Sequence, residues 1–231
     1  MKKYVFLLLL IPVWVSAQNR QVIEAASGED ISQKVSTQMQ FLFPEFTDGD
    51  VYYKGYSGKG KLNYNMLLGE MQFLENNQVK ALANARDVVV LNIDKRRFYP
   101  FNEKEFTEEL LSTGKYQLRV RRRGNVAQHS KKGAYGMDSS TSAITSYSSI
   151  NSDNRQYNLT VEEKVLISLD YFYYIVGSNG KYILIKNAKT FTKQFPQYRA
   201  QIEEFVQDNK IRFDNEDELK ALLKFCSNLG N

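Results

Sequence analysis

Apolar and polar residues alternate along much of the segment 41–123. Leu62, Tyr64 and Met66, for example, are separated by asparagines. Because successive side chains of a strand point to opposite faces, this alternation predicts half-buried strands. Turns rich in glycine and asparagine separate about six or seven such segments. Their close spacing predicts an antiparallel meander that curls into a barrel or a sandwich.

Three places in this region depart from simple alternation. Val88–Ile93 is almost continuously apolar, as expected for a central strand that is buried on both faces. Asn76 and Asn77 lie between two apolar runs and predict the turn of a hairpin. Residues 103–111 predict one short helix, which Gly114 ends.

The composition changes at residues 124–157. Thirteen of these 34 residues are Ser, Thr or Gly, and large apolar residues are few. Such a composition predicts a flexible surface loop or linker.

A second strand-like region follows over residues 158–188. Residues 171–176 are apolar or aromatic on both faces, and Asn179-Gly180 predicts a tight turn to a returning strand. If this hairpin joins the sheet of the first region, the protein is one α+β domain. Otherwise residues 158–231 form a small separate α+β unit.

Helical periodicity characterises the C-terminal tail. It predicts helices over 189–195, over 197–209 and from Asn215 onward. Asn215 is placed to cap the last helix, whose first turn is acidic. The apolar stripe of this helix consists of Leu219, Leu222, Leu223, Cys226 and Leu229. The whole pattern therefore predicts an α+β fold, an antiparallel β-rich meander with a C-terminal β-hairpin and three short helices.

The N-terminus has the order of a secretory signal peptide. Lys2 and Lys3 precede an apolar run over 4–15, which Ser16-Ala17-Gln18 follows. The run is shorter than the roughly 20 residues that a membrane-spanning helix needs. We expect cleavage after Ala17, the alternative being an uncleaved anchor.

Four parts are expected on this basis. They are a signal peptide at 1–17, a β-rich region at 18–123, a Ser/Gly-rich loop or linker at 124–157, and a hairpin with helices at 158–231. Within the second part, Ser27 and Asp30 resemble a capping box for a short helix reaching Met39. The mature chain is expected to have no transmembrane segment and to reside in the periplasm, at the outer-membrane periphery or outside the cell.

The composition excludes several classes of function. The 231 residues include one Cys and one His, so an intramolecular disulfide framework, a multi-Cys zinc site and a multi-His metal site are excluded. His129 lies in the Ser-rich segment and is expected to be solvated. Cys226 lies on an apolar helix stripe and is expected to be buried rather than nucleophilic. We expect neither a metal nor another cofactor.

Adjacent carboxylates offer only a weak case for an enzyme. Glu108-Glu109 and Glu162-Glu163 supply acidic side chains of the kind a hydrolase uses. Such pairs are brought together by folding, and adjacency along the chain is not a sign of them. We therefore expect these glutamates to be solvated.

The strongest candidate site is basic, in a chain with 31 Lys or Arg, 26 Asp or Glu and a formal charge of +5. Arg119, Arg121 and Arg123 alternate along one predicted strand and share one face. Arg96 and Arg97 form a second cluster. Arginine presents a planar fork that fits phosphate and carboxylate groups. The alternative is a solvated strand face that discourages edge-to-edge pairing.

Aromatic residues are abundant, with 15 Tyr and 14 Phe. Several lie in runs such as Tyr52-Tyr53 and 171–174. Alternate rings of a run point to opposite faces, so part of each run is available for sugar stacking or a protein interface, unless all pack in the core.

Two groups of motifs resemble exported proteins of Bacteroidetes-type bacteria. The first comprises Phe43-Pro44-Glu45-Phe46, Gly49, Leu62-Asn63-Tyr64-Asn65 and Glu70-Met71-Gln72-Phe73, and the second comprises Phe195-Pro196, Ile211, Phe213 and the Leu-rich last helix. The resemblance implies export and a Gram-negative envelope. It implies no activity, cofactor or catalytic residue.

These observations predict an exported, non-enzymatic envelope protein that binds a protein partner or contributes to outer-membrane structure. The alternative is a binding module for an anionic glycan or lipid, such as lipopolysaccharide, through the Arg-rich strand. A carboxylate-dependent hydrolase is a third, weaker reading. Nucleic acid is not an expected partner, because export separates the protein from it.

Overall fold

The computed structural model describes residues 20–25, 34–130, 147–149 and 163–229. The strands are β1 Arg20–Ala25, β2 Thr47–Tyr53, β3 Ser57–Asn65, β4 Glu70–Glu75, β5 Gln78–Ala81, β6 Val88–Ile93, β7 Arg96–Pro100, β8 Phe106–Ser112, β9 Tyr116–Ser130, β10 Tyr147–Ser149, β11 Glu163–Gly177 and β12 Tyr182–Leu184. The helices are α1 Thr37–Gln40, α2 Ala188–Phe191, α3 Arg199–Asp208 and α4 Glu216–Leu229, with 3₁₀ turns at Ala85–Asp87, Thr192–Gln194 and Pro196–Tyr198. None of the helices in these ranges combines the length and the apolar character needed to cross a membrane.

All twelve strands belong to one antiparallel sheet, ordered β1-β11-β9-β8-β7-β6-β2-β3-β4-β5, with β10 beside β9 and β12 beside β11. Two meanders, β2 to β5 and β6 to β9, are joined where β2 pairs with β6. The predicted α+β, β-rich meander is confirmed. The C-terminal hairpin of β11 and β12 joins the same sheet, because β11 pairs with β9 from Lys164 to Gly177. This is the one-domain arrangement of the two left open by the sequence.

The turn between β3 and β4 ties the two meanders together. Leu67 accepts a hydrogen bond from the Gly124 N–H, and Gly69 accepts one from the Phe106 N–H, both at 2.8 Å. Gly69 has φ +70°, and a Cβ there would lie 3.2 Å from the Arg122 carbonyl oxygen. A side chain at Gly69 would therefore be strained and crowded at this junction.

The apolar interior has two clusters. The first lies within the curled sheet and includes Tyr64, Leu91 and Phe98, all fully buried. The second lies between the sheet and the C-terminal helices and includes Ile175 and Leu222, again fully buried. One face of β9 and one face of β11 run through both clusters. These two strands therefore connect the sheet core to the helices.

The C-terminal predictions are confirmed in detail. Asn215 Oδ1 accepts hydrogen bonds from the N–H groups of Asp217 and Glu218, which caps α4. Of the predicted apolar stripe, Leu219, Leu222, Leu223 and Cys226 are buried and Leu229 is half-buried. Gly180 has φ +72° in the predicted tight turn.

Within the first region, the Asn76-Asn77 turn is confirmed, since both asparagines have positive φ. The helix predicted over 103–111 is wrong, because β8 occupies Phe106–Ser112. Its polar residues Thr107 and Glu108 are buried among neighbouring strands rather than solvated.

Two further expectations need correction. Val88–Ile93 forms a strand, but it is not buried on both faces, because Leu91 and Ile93 are fully buried whereas Val90 and Asn92 on the other face are half-buried. Val89 lies at a shift in the pairing with β2 and is 50% exposed. The strand β9 continues to Ser130 and thus enters the segment expected to be a loop. The signal peptide at 1–17 and most of the segments 26–39 and 124–157 lie outside the described residues.

Candidate functional site

The predicted alternation along β9 is present. Leu118 and Val120 are fully buried on the face that packs against the helices. Arg119, Arg121 and Arg123 lie on the opposite, outer face of the sheet, because side chains alternate along the strand. Rings from neighbouring strands surround the first two of these arginines. We call this surface the Arg–aromatic patch, and it consists of Arg97, Tyr99, Phe101, Arg119, Arg121, Phe172, Tyr174 and Tyr182.

Arg119 lies between two tyrosines. Its guanidinium carbon is 3.7 Å from the centre of the Tyr99 ring and 5.4 Å from that of Tyr182. The guanidinium also donates to the Tyr182 hydroxyl and to Gln117 Oε1. Among the described residues Arg119 forms no ion pair, although it is only 8% exposed. Its charge is therefore held by ring faces and neutral oxygens.

Arg121, two residues further along β9, also lies between two aromatic rings. Its guanidinium carbon is 4.7 Å from the Phe101 ring centre and 4.8 Å from that of Phe172. Its Nη1 lies 3.2 Å from Glu105 Oε2. Arg123 approaches the same carboxylate, with 3.7 Å between Nε and Glu105 Oε1. One glutamate thus serves two of the predicted site arginines.

The second predicted cluster is more accessible. Arg96 lies 3.1 Å from Glu108 and Arg97 lies 3.8 Å from Glu109, and their side chains are 45% and 60% exposed. The Arg96 guanidinium also lies over the Phe43 ring. These two arginines can reach a ligand without any change in the packing of the sheet.

A buried ion pair lies beneath this surface. Arg122 Nη1 is 2.6 Å from Glu108 Oε2, and both side chains are 5% exposed. Burial lowers the pKa of Arg122, but Glu108 together with Tyr64 and Tyr171 more than offsets this, so the pKa lies above its ordinary value. The Tyr64 hydroxyl donates to the Phe106 carbonyl in the same region, and burial raises the pKa of Tyr64 well above its usual range. Arg122, Glu108 and Tyr64 therefore form a polar group that is enclosed within the apolar interior.

The sequence pattern did not identify the acidic residues that pair with these arginines. Glu108 was expected to be solvated, and that expectation is wrong because the carboxylate is enclosed with Arg122. Glu105 was not singled out, yet it contacts Arg121 and Arg123. The signal available in the sequence was the spacing of Phe106 and Glu108, since side chains two residues apart lie on the same face of a strand, here the inner face.

The other residues that the sequence analysis considered for catalysis or metal binding show no reactive arrangement among the described residues. Cys226 is buried on α4, and burial raises the pKa of its thiol to about 12. The described ranges contain no group of three His, Cys, Asp or Glu residues placed to hold a metal ion. The backbone of His129 lies in β9, and its side chain is outside the part that the structure describes, as is Glu162.

No protein-family model, curated protein or solved structure matches the chain.

Proposed function

We propose that the protein is an exported, non-enzymatic component of the cell envelope that binds a protein partner through the Arg–aromatic patch. The observation that carries this proposal is the stacking of Arg119 and Arg121 between aromatic rings on the outer face of the sheet. Arginine and tyrosine dominate the binding energy of protein interfaces, because they offer large contact areas and directional hydrogen bonds. Stacking also holds these side chains in place before a partner arrives, which lowers the entropic cost of binding. Export rests on the signal peptide that the sequence predicts.

The charges of the patch indicate the chemistry of the partner. Arg119 has no carboxylate partner among the described residues, and Arg97 is 60% exposed beside it on the outer face. An acidic surface on the partner would pair with Arg97 and would favour the enclosed charge of Arg119 at longer range. The Arg97–Glu109 contact is long, at 3.8 Å, and Glu109 also accepts a hydrogen bond from the Tyr99 hydroxyl, so Glu109 keeps a partner when Arg97 turns to an acidic surface.

Reciprocal co-purification from the native envelope, with quantification of the bound protein, tests this function. Arg97→Glu reverses an exposed charge of the patch and is expected to reduce recovery of an acidic partner about tenfold. Lys59→Glu is the matched control, because Lys59 also pairs with an acid on the same outer face, Asp50, and is exposed. Equal recovery with both variants, or no stoichiometric partner with the unaltered protein, would contradict the proposal.

The exposed turn between β6 and β7 favours a second function, the binding of an anionic glycan or lipid. Lys95, Arg96 and Arg97 are consecutive and exposed at this turn. The double variant Arg96→Gln/Arg97→Gln is expected to lose binding to lipopolysaccharide while keeping its fold, as measured by vesicle sedimentation and circular dichroism. Substitution of Arg119 or Arg121 is a poorer test, because it removes ring stacking as well as charge. Equal binding by the double variant would exclude this function for the turn.

A further inference from the structure

A cavity of about 620 Å³ opens between two loops that connect strands of the sheet. One loop follows β5 and includes Leu82, Arg86 and Asp87, and the other precedes β8 and includes Glu103 and Lys104. This volume lies in the range of small-molecule sites in proteins. Nothing in the candidate site above uses this cavity.

Both loops are held by local hydrogen bonds. The Leu82 N–H donates to the Met71 carbonyl at 2.8 Å, and the Asp87 N–H donates to the Asn84 carbonyl at 2.9 Å. In the other loop, Asn102 Oδ1 accepts from the N–H groups of Lys104 and Glu105. The walls of the cavity are therefore formed before a ligand binds.

An ion pair at the mouth of the cavity connects the two loops. Arg86 Nη2 lies 2.7 Å from Glu103 Oε1, and the two side chains are 72% and 65% exposed. Such an exposed pair contributes little to stability, because water solvates each charge well when the pair opens. A ligand that carries both a negative and a positive charge can therefore replace the contact between Arg86 and Glu103.

The lining sets the chemistry of that ligand. Ala81, Leu82 and Ala83 provide an apolar wall beside the charged mouth. A molecule that fits has a carboxylate for Arg86, an ammonium group for Glu103 and a small apolar body for this wall. We propose that the cavity binds an amino acid or a short peptide with both termini free and small apolar side chains.

The binding mode exchanges one ion pair for two. The ligand carboxylate pairs with Arg86, and the ligand ammonium pairs with Glu103. No charge is left alone by this exchange, since every group of the original pair obtains a new partner. The apolar wall then covers the methyl groups of the ligand.

Titration of the purified protein with L-alanyl-L-alanine, followed by the shifts of its amide NMR signals, tests this site. Saturable shifts confined to the two loops are expected at millimolar concentration. N-acetylated and C-amidated forms of the dipeptide lack one charge each and should bind about tenfold more weakly. Free L-alanine, run in parallel, distinguishes an amino-acid site from a peptide site.

Variants of the mouth assign each charge. Arg86→Gln should bind the dipeptide and its C-amide equally, because the partner of the carboxylate is gone. Glu103→Gln should likewise bind the dipeptide and its N-acetyl form equally. Lys59→Gln, which opens an exposed ion pair elsewhere on the sheet, is the control and should behave as the unaltered protein does.

Two results would overturn the proposal. One is the absence of saturable shifts with the dipeptide and with L-alanine in a preparation whose spectrum shows a folded protein. The other is equal affinity for the dipeptide and both capped forms, since charge recognition would then play no part. Neither result bears on the Arg–aromatic patch, which lies at a different place on the sheet.

Discussion

Glu108 shows how a single residue in this protein can have a structural role that its position in the sequence conceals. Its carboxylate contacts the buried Arg122 and the half-exposed Arg96. A buried charge is costly to transfer from water, and the opposite charge compensates for this cost only at close range. The burial of Arg122 therefore depends on the carboxylate of Glu108.

The variant Glu108→Ala tests this dependence. It leaves Arg122 buried without its carboxylate, and the free energy of unfolding is expected to fall by about 3–5 kcal/mol. Urea denaturation measures the change. The double variant Glu108→Leu/Arg122→Met removes both charges and should lose less than Glu108→Ala does. A double variant at least as unstable as Glu108→Ala would contradict a coupled pair.

Cys226 illustrates the opposite case of a residue whose environment suppresses its chemistry. The thiolate is the reactive form of cysteine, and burial raises the pKa of this thiol to about 12. At pH 8 the native protein should therefore react with an aromatic disulfide reagent only through unfolding. The labelling rate should rise with urea and should also rise in Leu222→Ala, which loosens the same cluster. Rapid labelling of the native protein in the absence of urea would show that the thiol is accessible.

At the level of elements, the sheet depends on a close approach of β2 and β6. Gly49 lies where the two strands pair, opposite Ile93. A Cβ at this position would meet the Asn92 carbonyl oxygen at 2.7 Å and Leu62 Cδ1 at 2.8 Å. The backbone oxygen cannot move without displacing the strand, so glycine is needed at this position.

Gly49→Ala is accordingly expected to destabilise the protein by about 1–3 kcal/mol through overpacking. Gly58 in β3 is the matched control, since a Cβ there meets nothing within 4 Å. Gly58→Ala should be neutral or slightly stabilising, because it reduces the freedom of the unfolded chain. Thermal unfolding of the two variants measures the difference. Similar losses for both would show that the contact at Gly49 is readily relieved.

The elements predicted correctly are those whose pattern is local. The Asn76-Asn77 hairpin and α4 with its Asn215 cap need only neighbouring residues to be recognised. The strands β1 and β8 were not predicted, because β1 pairs with β11 far along the chain and β8 buries polar residues. The same distinction between local and long-range patterns applies to the candidate site. Strand alternation predicts the arginine face of β9, whereas its pairing with Glu105 depends on how distant segments meet.

At the scale of the whole molecule, two strands connect the parts of the interior. β11 places Val165 and Ile167 in the sheet cluster and Tyr173 and Ile175 in the helical cluster. Tyr171, between them, packs against both. Neither cluster can lose its strands without exposing apolar surface of the other. The helices and the sheet should therefore unfold together.

Cooperative unfolding is tested by recording two signals in one urea titration. Far-ultraviolet circular dichroism reports the helices, and near-ultraviolet circular dichroism reports the packed tyrosines. The two midpoints are expected to coincide. Leu91→Ala in the sheet cluster and Leu222→Ala in the helical cluster should each shift both signals together, with a loss of about 2–5 kcal/mol. If Leu222→Ala shifts only the helical signal, the C-terminal helices are a separate folding unit that shares strands with the sheet without sharing its stability.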